Sequence, residues 1–357
     1  MKRAAALALL AALLCGCGRD ASQLTVVTGI GIDGEPGRYQ VETEVIRLSG
    51  PEQEGQSILL QSGGRTVTDG INGIAAMTGR SLYCNHAQVL VLGRETAGQD
   101  IAAVLEEFLH GNQYPVSLRL AVAKETAAEL LRAEPLLGDL RSTELEDAIR
   151  QGRQQCLTAD MDLCGFYQEL LAPGIEGILP FMELREVQGR QSCTLTGTAL
   201  FRGTAMLSVL DEQDSRSLLW LRGQSGGTLE TSCGLLDVTY LKRTLNAGPN
   251  GAEITLELTL TANDSESDRA ELIPAAEEAM RQRCQGLLDV LRAQGCDSIG
   301  VGQQLRRTHR AAWERRQPWE TAFADYPVAV EVRVRNVIWG RIWAEEHSAH
   351  REDANGA

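Results

Sequence analysis

Residues 24–123 switch repeatedly between the hydrophobic periodicity of a strand and that of a helix. Runs that are continuously apolar or that alternate apolar and polar residues, which predict strands, occupy residues 24–32, 39–46, 87–92 and 116–123. Apolar residues three and four positions apart, which predict amphipathic helices, occupy residues 66–77 and 100–110. The side chains expected to face inward on the first helix are Val67, Ile71, Ile74 and Met77. This order of elements predicts an α/β layer.

The rest of the chain carries weaker but similar patterns. Residues 142–171 are predicted to be mainly helical, and residues 172–190, interrupted by prolines and glycines, are predicted to form a linker. Further strands are expected at residues 193–210, 228–233, 235–241, 253–260 and 328–337. Helices are expected to begin at Asp211 and to span Ile273 to Leu291.

A chain of 357 residues is too long for one compact core of usual size. We therefore expect a mixed α+β and α/β protein of three α-β domains, with sheets packed against amphipathic helices. The predicted divisions are an N-terminal domain with a helical insertion, a small middle domain, a C-terminal domain and a disordered tail, at residues 17–190, 191–250, 251–345 and 346–357.

The first residues have the form of a secretory signal. Met1-Lys2-Arg3 precedes an uncharged apolar run over residues 4–14, which is too short to span a bilayer. Leu14-Cys15-Gly16-Cys17 then resembles the bacterial lipobox, which predicts removal of residues 1–16 and lipidation of Cys17. Because each buried methylene contributes roughly 0.8 kcal/mol, two or more acyl chains would anchor the protein firmly to a membrane. The alternative is an ordinary cleaved signal with incidental cysteines.

The charge balance limits the possible partners. The chain has 48 acidic and 34 basic residues, a net charge of -14. Nucleic acid and anionic lipid headgroups are not expected as ligands, because this excess of carboxylates would repel their phosphates unless the charge is segregated on the surface. The local basic run from Arg306 to Arg316 is interpreted as a solvated helix face.

Seven cysteines lie beyond the lipobox, at positions 84, 156, 164, 193, 233, 284 and 296. An odd number cannot all pair within the chain, and their spacing contains no Cys-x-x-Cys. We expect most of them to be small buried apolar residues. So many free thiols outside the cytoplasm would suit an anaerobic organism.

Two glycine-rich segments match catalytic or cofactor motifs only in their letters. Gly29 to Gly34 fits G-x-G-x-x-G. A dinucleotide site needs a helix directly after this motif, but here Pro36 and then a predicted strand follow. Gly223 to Gly227 fits the G-x-S-x-G elbow around Ser225, with His309 downstream, but again a strand is expected next. Both are interpreted as turns.

Candidate metal and acid–base residues are sparse. Cys84 and His86 share one face of an extended segment, and His347 and His350 lie in the tail, but neither pair has the further ligands that zinc requires. The adjacent carboxylates at 106–107 and 277–278 carry no specific signal in an acidic chain. The sequence therefore predicts no catalytic, cofactor-binding or metal-binding residue, and Cys17 as the lipidation site.

Several segments, in order, resemble the Ger(x)C family of spore germination lipoproteins, the C subunits of nutrient germinant receptors. They are residues 24–33 (LTVVTGIGID), 79–93 (GRSLYCNHAQVLVLG), 197–201 (GTALF) and 215–223 (SRSLLWLRG). The C-terminal part, with Trp313, Trp319 and Phe323, also agrees. The sequence departs from the family after Cys17, where Gly18-Arg19-Asp20 replaces the usual Trp-Asp, and over residues 136–191.

This resemblance implies a three-domain body on the outer face of the spore inner membrane, without enzymatic activity or a cofactor. It implies that the body assembles with an A-type subunit and a multi-pass, transporter-like B-type subunit. Candidate contact residues are Trp313, Trp319 and Trp339, although packing in a core is an equally good interpretation of each. The alternative function is that of a lipid-tethered solute-binding protein that delivers a small molecule to a transporter.

Overall fold

The structure is a computed structural model that describes residues 24–47, 57–110, 113–262 and 268–339. The strands in these ranges form one sheet of nine strands and one of four. Helices pack on both faces of the larger sheet and against the smaller one. The predicted mixed α/β class, with sheets packed against amphipathic helices, is confirmed. The signal peptide, Cys17 and the predicted disordered tail lie outside the described residues.

The strands of the larger sheet are β1 (Leu24–Glu35), β2 (Arg38–Arg47), β3 (Ser57–Gly64), β4 (Ser81–Tyr83), β5 (Val89–Leu92), β6 (Arg119–Ala123), β7 (Ile178–Val187), β8 (Arg190–Arg202) and β9 (Ala205–Leu210). Their order is β3-β2-β1-β5-β6-β7-β8-β9, and β4 pairs with the start of β1. The central strands β1, β5, β6 and β7 are parallel. Antiparallel hairpins extend the sheet at both sides, and the predicted β1–β2 hairpin is confirmed.

The helices of the described residues are α1 (Val67–Thr78), α2 (Arg94–Ala97), α3 (Ala102–Leu109), α4 (Ala127–Arg132), α5 (Arg141–Gln154), α6 (Leu163–Leu171), α7 (Glu212–Leu221), α8 (Arg269–Ala293), α9 (Val301–Thr308), α10 (Arg310–Glu314) and α11 (Trp319–Asp325). Helix α1 begins with a capping box, in which Thr66 and Asp69 each accept the backbone N–H of the other. It ends at Gly79, whose φ of 64° is the left-handed conformation that glycine tolerates best.

The helices form one layer on each face of the larger sheet. Helices α1, α3 and α6 bury their apolar side chains on one face, in a core that includes Ile74, Phe108 and Phe166. Helices α4 and α5 cover the opposite face with Leu131, Ile149 and their neighbours. Because the central strands are buried on both faces, they are almost continuously apolar.

The smaller sheet contains β10 (Thr228–Thr231), β11 (Gly234–Gly248), β12 (Gly251–Ala262) and β13 (Val328–Trp339) in sequence order. The inward-facing side chains of β12 are buried as predicted: Ile254, Leu256, Leu258 and Leu260. The predicted long helix is confirmed as α8, and its stripe from Ala276 to Leu291 packs in the same core. Strand β13 returns parallel to β12.

The two sheets share a continuous core. Ile178 and Leu200 of the larger sheet belong to the same buried cluster as Leu229 and Leu256 of the smaller one. The backbone also joins them, because Glu176 donates its N–H to the Asp297 carbonyl at 3.0 Å. The junction is therefore packed with side chains.

Some sequence predictions differ from the structure. The predicted linker at 172–190 contains the buried strand β7, whose apolar run was hidden by the surrounding prolines and glycines. Met77, predicted to face inward on the first helix, is exposed because it lies in the last turn of α1. Val116, predicted to lie in a strand, is exposed because it precedes β6.

The predicted domain boundaries fall in hairpins. The division at 190/191 lies after the first residue of β8, at the β7–β8 turn, and the division at 250/251 lies between β11 and β12. Each of these strand pairs is hydrogen-bonded along its length. A division by sheets would instead fall between β9 and β10, and the division into three domains stays a prediction.

Candidate functional site

The predicted lipid-attachment residue, Cys17, is outside the described residues, but the chain that follows it enters a defined place in the fold. Strand β1 starts at Leu24, seven residues later. Seven extended residues span at most about 25 Å. A lipid on Cys17 would therefore hold the end of the larger sheet where β1 starts close to the bilayer.

The Gly29–Gly34 segment is part of β1 and its glycines allow helices to approach the strand. A Cβ on Gly29 would lie 2.8 Å from the Ser142 Cβ, and one on Gly31 would lie 2.9 Å from the Leu131 Cδ1. The next element is β2, so the segment has no dinucleotide geometry. The interpretation of this segment as a turn was wrong, because all of it lies within strand β1. The function of these glycines is close packing of α4 and α5 on the sheet.

Two carboxylates of the β1–β2 hairpin, the half-buried Asp33 and the buried Glu44, cap these same helices. Asp33 accepts the N–H groups of Ala127 and Ala128, at 2.8 and 3.0 Å, in the first turn of α4. Glu44 accepts those of Arg141 and Ser142, both at 2.8 Å, in the first turn of α5. Carboxylates at helix N-termini satisfy free N–H groups and interact favourably with the helix dipole. Sequence analysis missed both caps, because each carboxylate is more than 90 residues from the helix that it caps.

A cleft of about 410 Å³ opens beside these caps, lined by Glu44, Leu131, Arg132, Arg141 and neighbouring residues. Its two arginines are held by internal contacts. Arg132 pairs with Glu42 at 2.8 Å, and the buried Arg141 donates its Nε–H to the Ala133 carbonyl at 2.7 Å and pairs with Glu144. Burial raises the pKa of Glu42, and the Arg132 guanidinium opposes this shift. Burial also raises the pKa of Asp33, opposed by its two N–H donors. This arrangement fixes the positions of helices on a sheet.

Ser225 is a structural residue of a turn. Its Oγ accepts the N–H of Leu241 at 2.9 Å, and the neighbouring Gly226 carbonyl accepts the Nε1–H of the buried Trp220 at 2.9 Å. Helix α7 precedes the motif and strand β10 follows it, which is the reverse of the order in a nucleophile elbow. The motif therefore connects α7 to the smaller sheet.

Cys84 and His86 separate into different environments. Cys84 is buried, and burial raises the pKa of its thiol to about 11. The exposed His86 lies against Tyr83, with ring centroids 5.5 Å apart. His347 and His350 lie outside the described residues. Within residues 24–47, 57–110, 113–262 and 268–339, no three His, Cys, Asp or Glu side chains are grouped closely enough to hold a metal ion.

The candidate contact tryptophans pack in the core of the smaller sheet. Trp313 and Trp319 are buried with their ring centroids 5.3 Å apart, and Trp339 is partly buried. The Trp319 Nε1–H donates to the buried Asp297 carboxylate at 2.9 Å. For Trp313 and Trp319 the structure supports the alternative of core packing, because only 8% and 5% of these residues are exposed.

The adjacent carboxylates and the basic run are surface features. Glu277 accepts the N–H of Val334 at 2.8 Å, and Glu278 forms an ion pair with Arg281. In the run from Arg306 to Arg316, Arg310 pairs with Glu314 at 2.8 Å. No helix of the described ranges is both long and apolar enough to cross a bilayer.

Comparison with known proteins identifies the family. Residues 18–184 match the family described as the spore germination protein N-terminal domain. Residues 196–337 match the family described as spore germination B3/GerAC like, C-terminal. The chain belongs to the GerAC-like family of spore germination proteins. The resemblance seen in the sequence is thereby confirmed.

A solved structure supports the fold of this germination protein. The crystal structure of the GerBC protein is similar with a TM-score of 0.52 and 14% sequence identity, over 89% of this chain and 99% of that one. No curated protein matches the chain.

The family segments occupy structural positions in the fold. Residues 79–93 begin at Gly79, the C-cap of α1, and contain β4 and the buried strand β5, and residues 215–223 contain most of α7. Gly197 lies where a Cβ would meet the Leu210 carbonyl oxygen at 1.9 Å, so only glycine fits there. These segments of the germination protein therefore specify packing.

Proposed function

We propose that this chain is the lipid-anchored, non-catalytic C subunit of a spore nutrient germinant receptor. Cys17 would carry the lipid, and the body would lie on the outer face of the spore inner membrane beside an A-type and a multi-pass B-type subunit. The observation that carries the proposal is the pair of family matches, which follow one another in order from residue 18 to residue 337.

The described contacts support the non-catalytic part of the proposal, because they engage the conspicuous polar groups within the fold. Three conspicuous carboxylates, the half-buried Asp33 and the buried Glu44 and Asp297, accept backbone N–H groups at helix N-termini. The hydroxyl of Ser225 holds a strand, and the thiol of Cys84 is buried. Each of these candidate chemical groups therefore has a structural task.

A lipid anchor would give weak contacts a large effect. A body held within about 25 Å of the bilayer samples a thin layer, which raises its effective concentration against membrane-embedded partners into the millimolar range. Contacts that are too weak to join free proteins would then hold a receptor together.

The test replaces Cys17 with Ser in the native spore-forming host, with Cys15→Ser as the matched control. We expect Cys17→Ser to lose the lipid mass, to leave the membrane fraction, to stop co-purifying with a multi-pass subunit and to lose the nutrient germination response. Cys15→Ser should keep all four properties. Full membrane retention of an unlipidated Cys17→Ser protein would contradict the anchor, and a normal nutrient response after deletion of the whole gene would contradict the receptor role.

The solute-binding alternative has one feature in its favour, an open groove of about 510 Å³ beside β10 and β11. Its lining includes Gln154, Arg216, Thr228 and Asp237. However, the junction of the two sheets is a packed core, whereas a solute-binding protein closes two lobes around a cleft. A saturable thermal shift of the isolated body with a single nutrient would favour this alternative, and we expect no shift.

A further inference from the structure

Four exposed apolar side chains lie at the end of the larger sheet where β1 begins. The exposed fractions are 41% for Ile58, 60% for Met77, 36% for Tyr83 and 65% for Val116. We name the three segments that contain them, residues 57–60, 76–88 and 113–118, the anchor-side edge.

The pairing of the strands places these segments together. Ile58 of β3 pairs with Val45 of β2, and Val45 pairs with Val27, the fourth residue of β1. Tyr83 pairs with Val26. Both side chains are therefore level with the first four residues of β1, on strands either side of the β1–β2 pair.

The other two side chains lie at the same end. Met77 is in the last turn of α1, four residues before β4 starts beside Leu24. Val116 is three residues before Arg119, where β6 starts parallel to β5 and hence to β1. Because α1 and the turn before β6 both lead into strands that start here, the four exposed side chains border one end of the sheet.

The charge of this edge differs from that of the whole chain. Residues 57–60, 76–88 and 113–118 contain no Asp or Glu, although the chain has 48 of them in 357 residues. Carboxylates of other segments lie beside the anchor-side edge. Asp160 and Asp162 form ion pairs with Arg119, at 2.7 and 3.9 Å. Glu44, Glu134 and Asp139 line the cleft that Ser57 and Leu59 also line. Glu52 and Glu54 fall in residues 48–56, outside the described ranges.

An edge with exposed apolar side chains, a tyrosine and no carboxylate within its own three segments has the chemistry of a membrane interface. Tyrosine is enriched at the headgroup level, where its ring is buried and its hydroxyl is hydrated. Free carboxylates are repelled by the negative surface of an anionic leaflet. Among the possible occupants of the anchor-side edge, a lipid bilayer fits these properties best.

The predicted tether decides the occupant. Only seven residues separate Cys17 from Leu24, so an anchored chain keeps this end of the sheet within about 25 Å of the lipids. We propose that the anchor-side edge rests on the bilayer, with Ile58, Met77, Tyr83 and Val116 in its interfacial region. This inference depends on the proposed lipid anchor, and it sets the orientation of the body, with β1 running away from the membrane.

The test uses the full lipidated protein in vesicles of phosphatidylcholine and phosphatidylglycerol that contain a photoreactive lipid. After illumination, mass spectrometry locates the peptides that carry the crosslinked lipid. We expect crosslinks within residues 57–60, 76–88 and 113–118. Crosslinks spread evenly over the body, or concentrated around Leu235 and Tyr240, would overturn the proposal.

Paired variants distinguish contact from chance. Met77→Asp combined with Val116→Asp should reduce crosslinking of the edge about tenfold. Each new carboxylate adds a free-energy cost of roughly 0.7 kcal/mol for burial in the interface, and two such costs correspond to about tenfold. The matched control combines Leu235→Asp with Tyr240→Asp, which are also exposed, at 61% and 55%. It should leave the crosslinks unchanged, and both double variants should keep the melting temperature of the parent.

Three outcomes separate this proposal from the anchor on which it depends. An intact mass without lipid would show that the anchor itself fails. A lipidated protein whose edge does not crosslink would leave the anchor intact and overturn the orientation. Lipid crosslinks that appear only after a multi-pass subunit is added would overturn the claim that the anchor-side edge rests on the bilayer by itself.

Discussion

At the scale of single residues, buried carboxylates hold the helices in place. Asp297 is buried and accepts the N–H groups of Gly300, Val301 and Gly302 and the Nε1–H of Trp319, at 2.6 to 3.0 Å. Asp297→Ala would leave these buried donors without an acceptor, at the start of α9. We expect it to lower the free energy of unfolding by about 3 kcal/mol, measured by urea denaturation.

The control for Asp297 is Asp289→Ala in α8, since Asp289 is exposed and its contact with Arg292 is long, at 3.7 Å. A surface ion pair of this kind contributes little, so we expect a change within about 0.5 kcal/mol. If the two variants were equally stable, the capping role of Asp297 would be wrong.

The free thiols should differ in reactivity. Burial raises the pKa of Cys84 and Cys193 to about 11 and that of Cys156, Cys284 and Cys296 to about 12. The thiolate is the reactive form, so these five should be alkylated slowly by iodoacetamide at pH 8. The partly exposed Cys164 and Cys233 should be labelled first, as mass spectrometry of the native protein would show. Fast labelling of Cys284, or disulfides in the reduced-purified protein, would contradict this prediction.

At the scale of elements, glycines of β1 determine how closely the helices pack. Gly31→Val would place a side chain against Leu131 and Ala127 of α4, where even a Cβ lies within 3.0 Å of both. Such overpacking typically costs about 1–3 kcal/mol. We expect the free energy of unfolding of Gly31→Val to fall by this amount, and an unchanged value would show that α4 can move away.

Gly286 provides the opposite case. It lies on the exposed face of α8, and a Cβ there would meet no atom within 4 Å. Alanine has the higher helix propensity, so Gly286→Ala should raise the free energy of unfolding by about 1 kcal/mol. A destabilised Gly286→Ala protein would mean that this helix face is covered by something outside the described residues.

The elements that local periodicity marks were predictable from the sequence. The alternation of Ile254 to Leu260 and the stripe from Ala276 to Leu291 predicted β12 and α8. Helix α4 and strand β7 were missed, because α4 has only six residues and β7 contains Pro180. Local patterns are weak in such short or interrupted elements, whose structure depends on distant contacts.

At the scale of the whole molecule, long-range contacts determine the order of the strands and the positions of the helices, which local sequence patterns do not specify. The order of strands in the larger sheet and the caps from Asp33 and Glu44 join residues far apart in sequence. The outward position of Met77, which helical periodicity placed inward, likewise follows from where the sheet ends. The candidate membrane surface could therefore be recognised only after the segments were brought together in the fold.

The junction between the two sheets makes whole-molecule stability depend on pH. Glu176 lies there, and its carboxylate accepts the N–H of Gly203 at 2.8 Å. Burial raises its pKa above 4.5, and Asp297 and Glu320 raise it further, while the Gly203 N–H and Arg202 lower it. The folded state therefore binds the proton more tightly than the unfolded chain, and its advantage is present at low pH and lost as pH rises through the raised pKa.

Glu176→Gln, which resembles the protonated side chain, isolates this effect. We expect its free energy of unfolding, relative to that of the parent, to be higher at pH 7.5 than at pH 5, as measured by urea denaturation at both values. The control is Glu95→Gln, a change at an exposed position. Its free energy of unfolding should differ from that of the parent by the same small amount at both pH values. If Glu176→Gln lost relative stability as pH rises, the ionised carboxylate would be the stabilising form and the junction would depend on its charge.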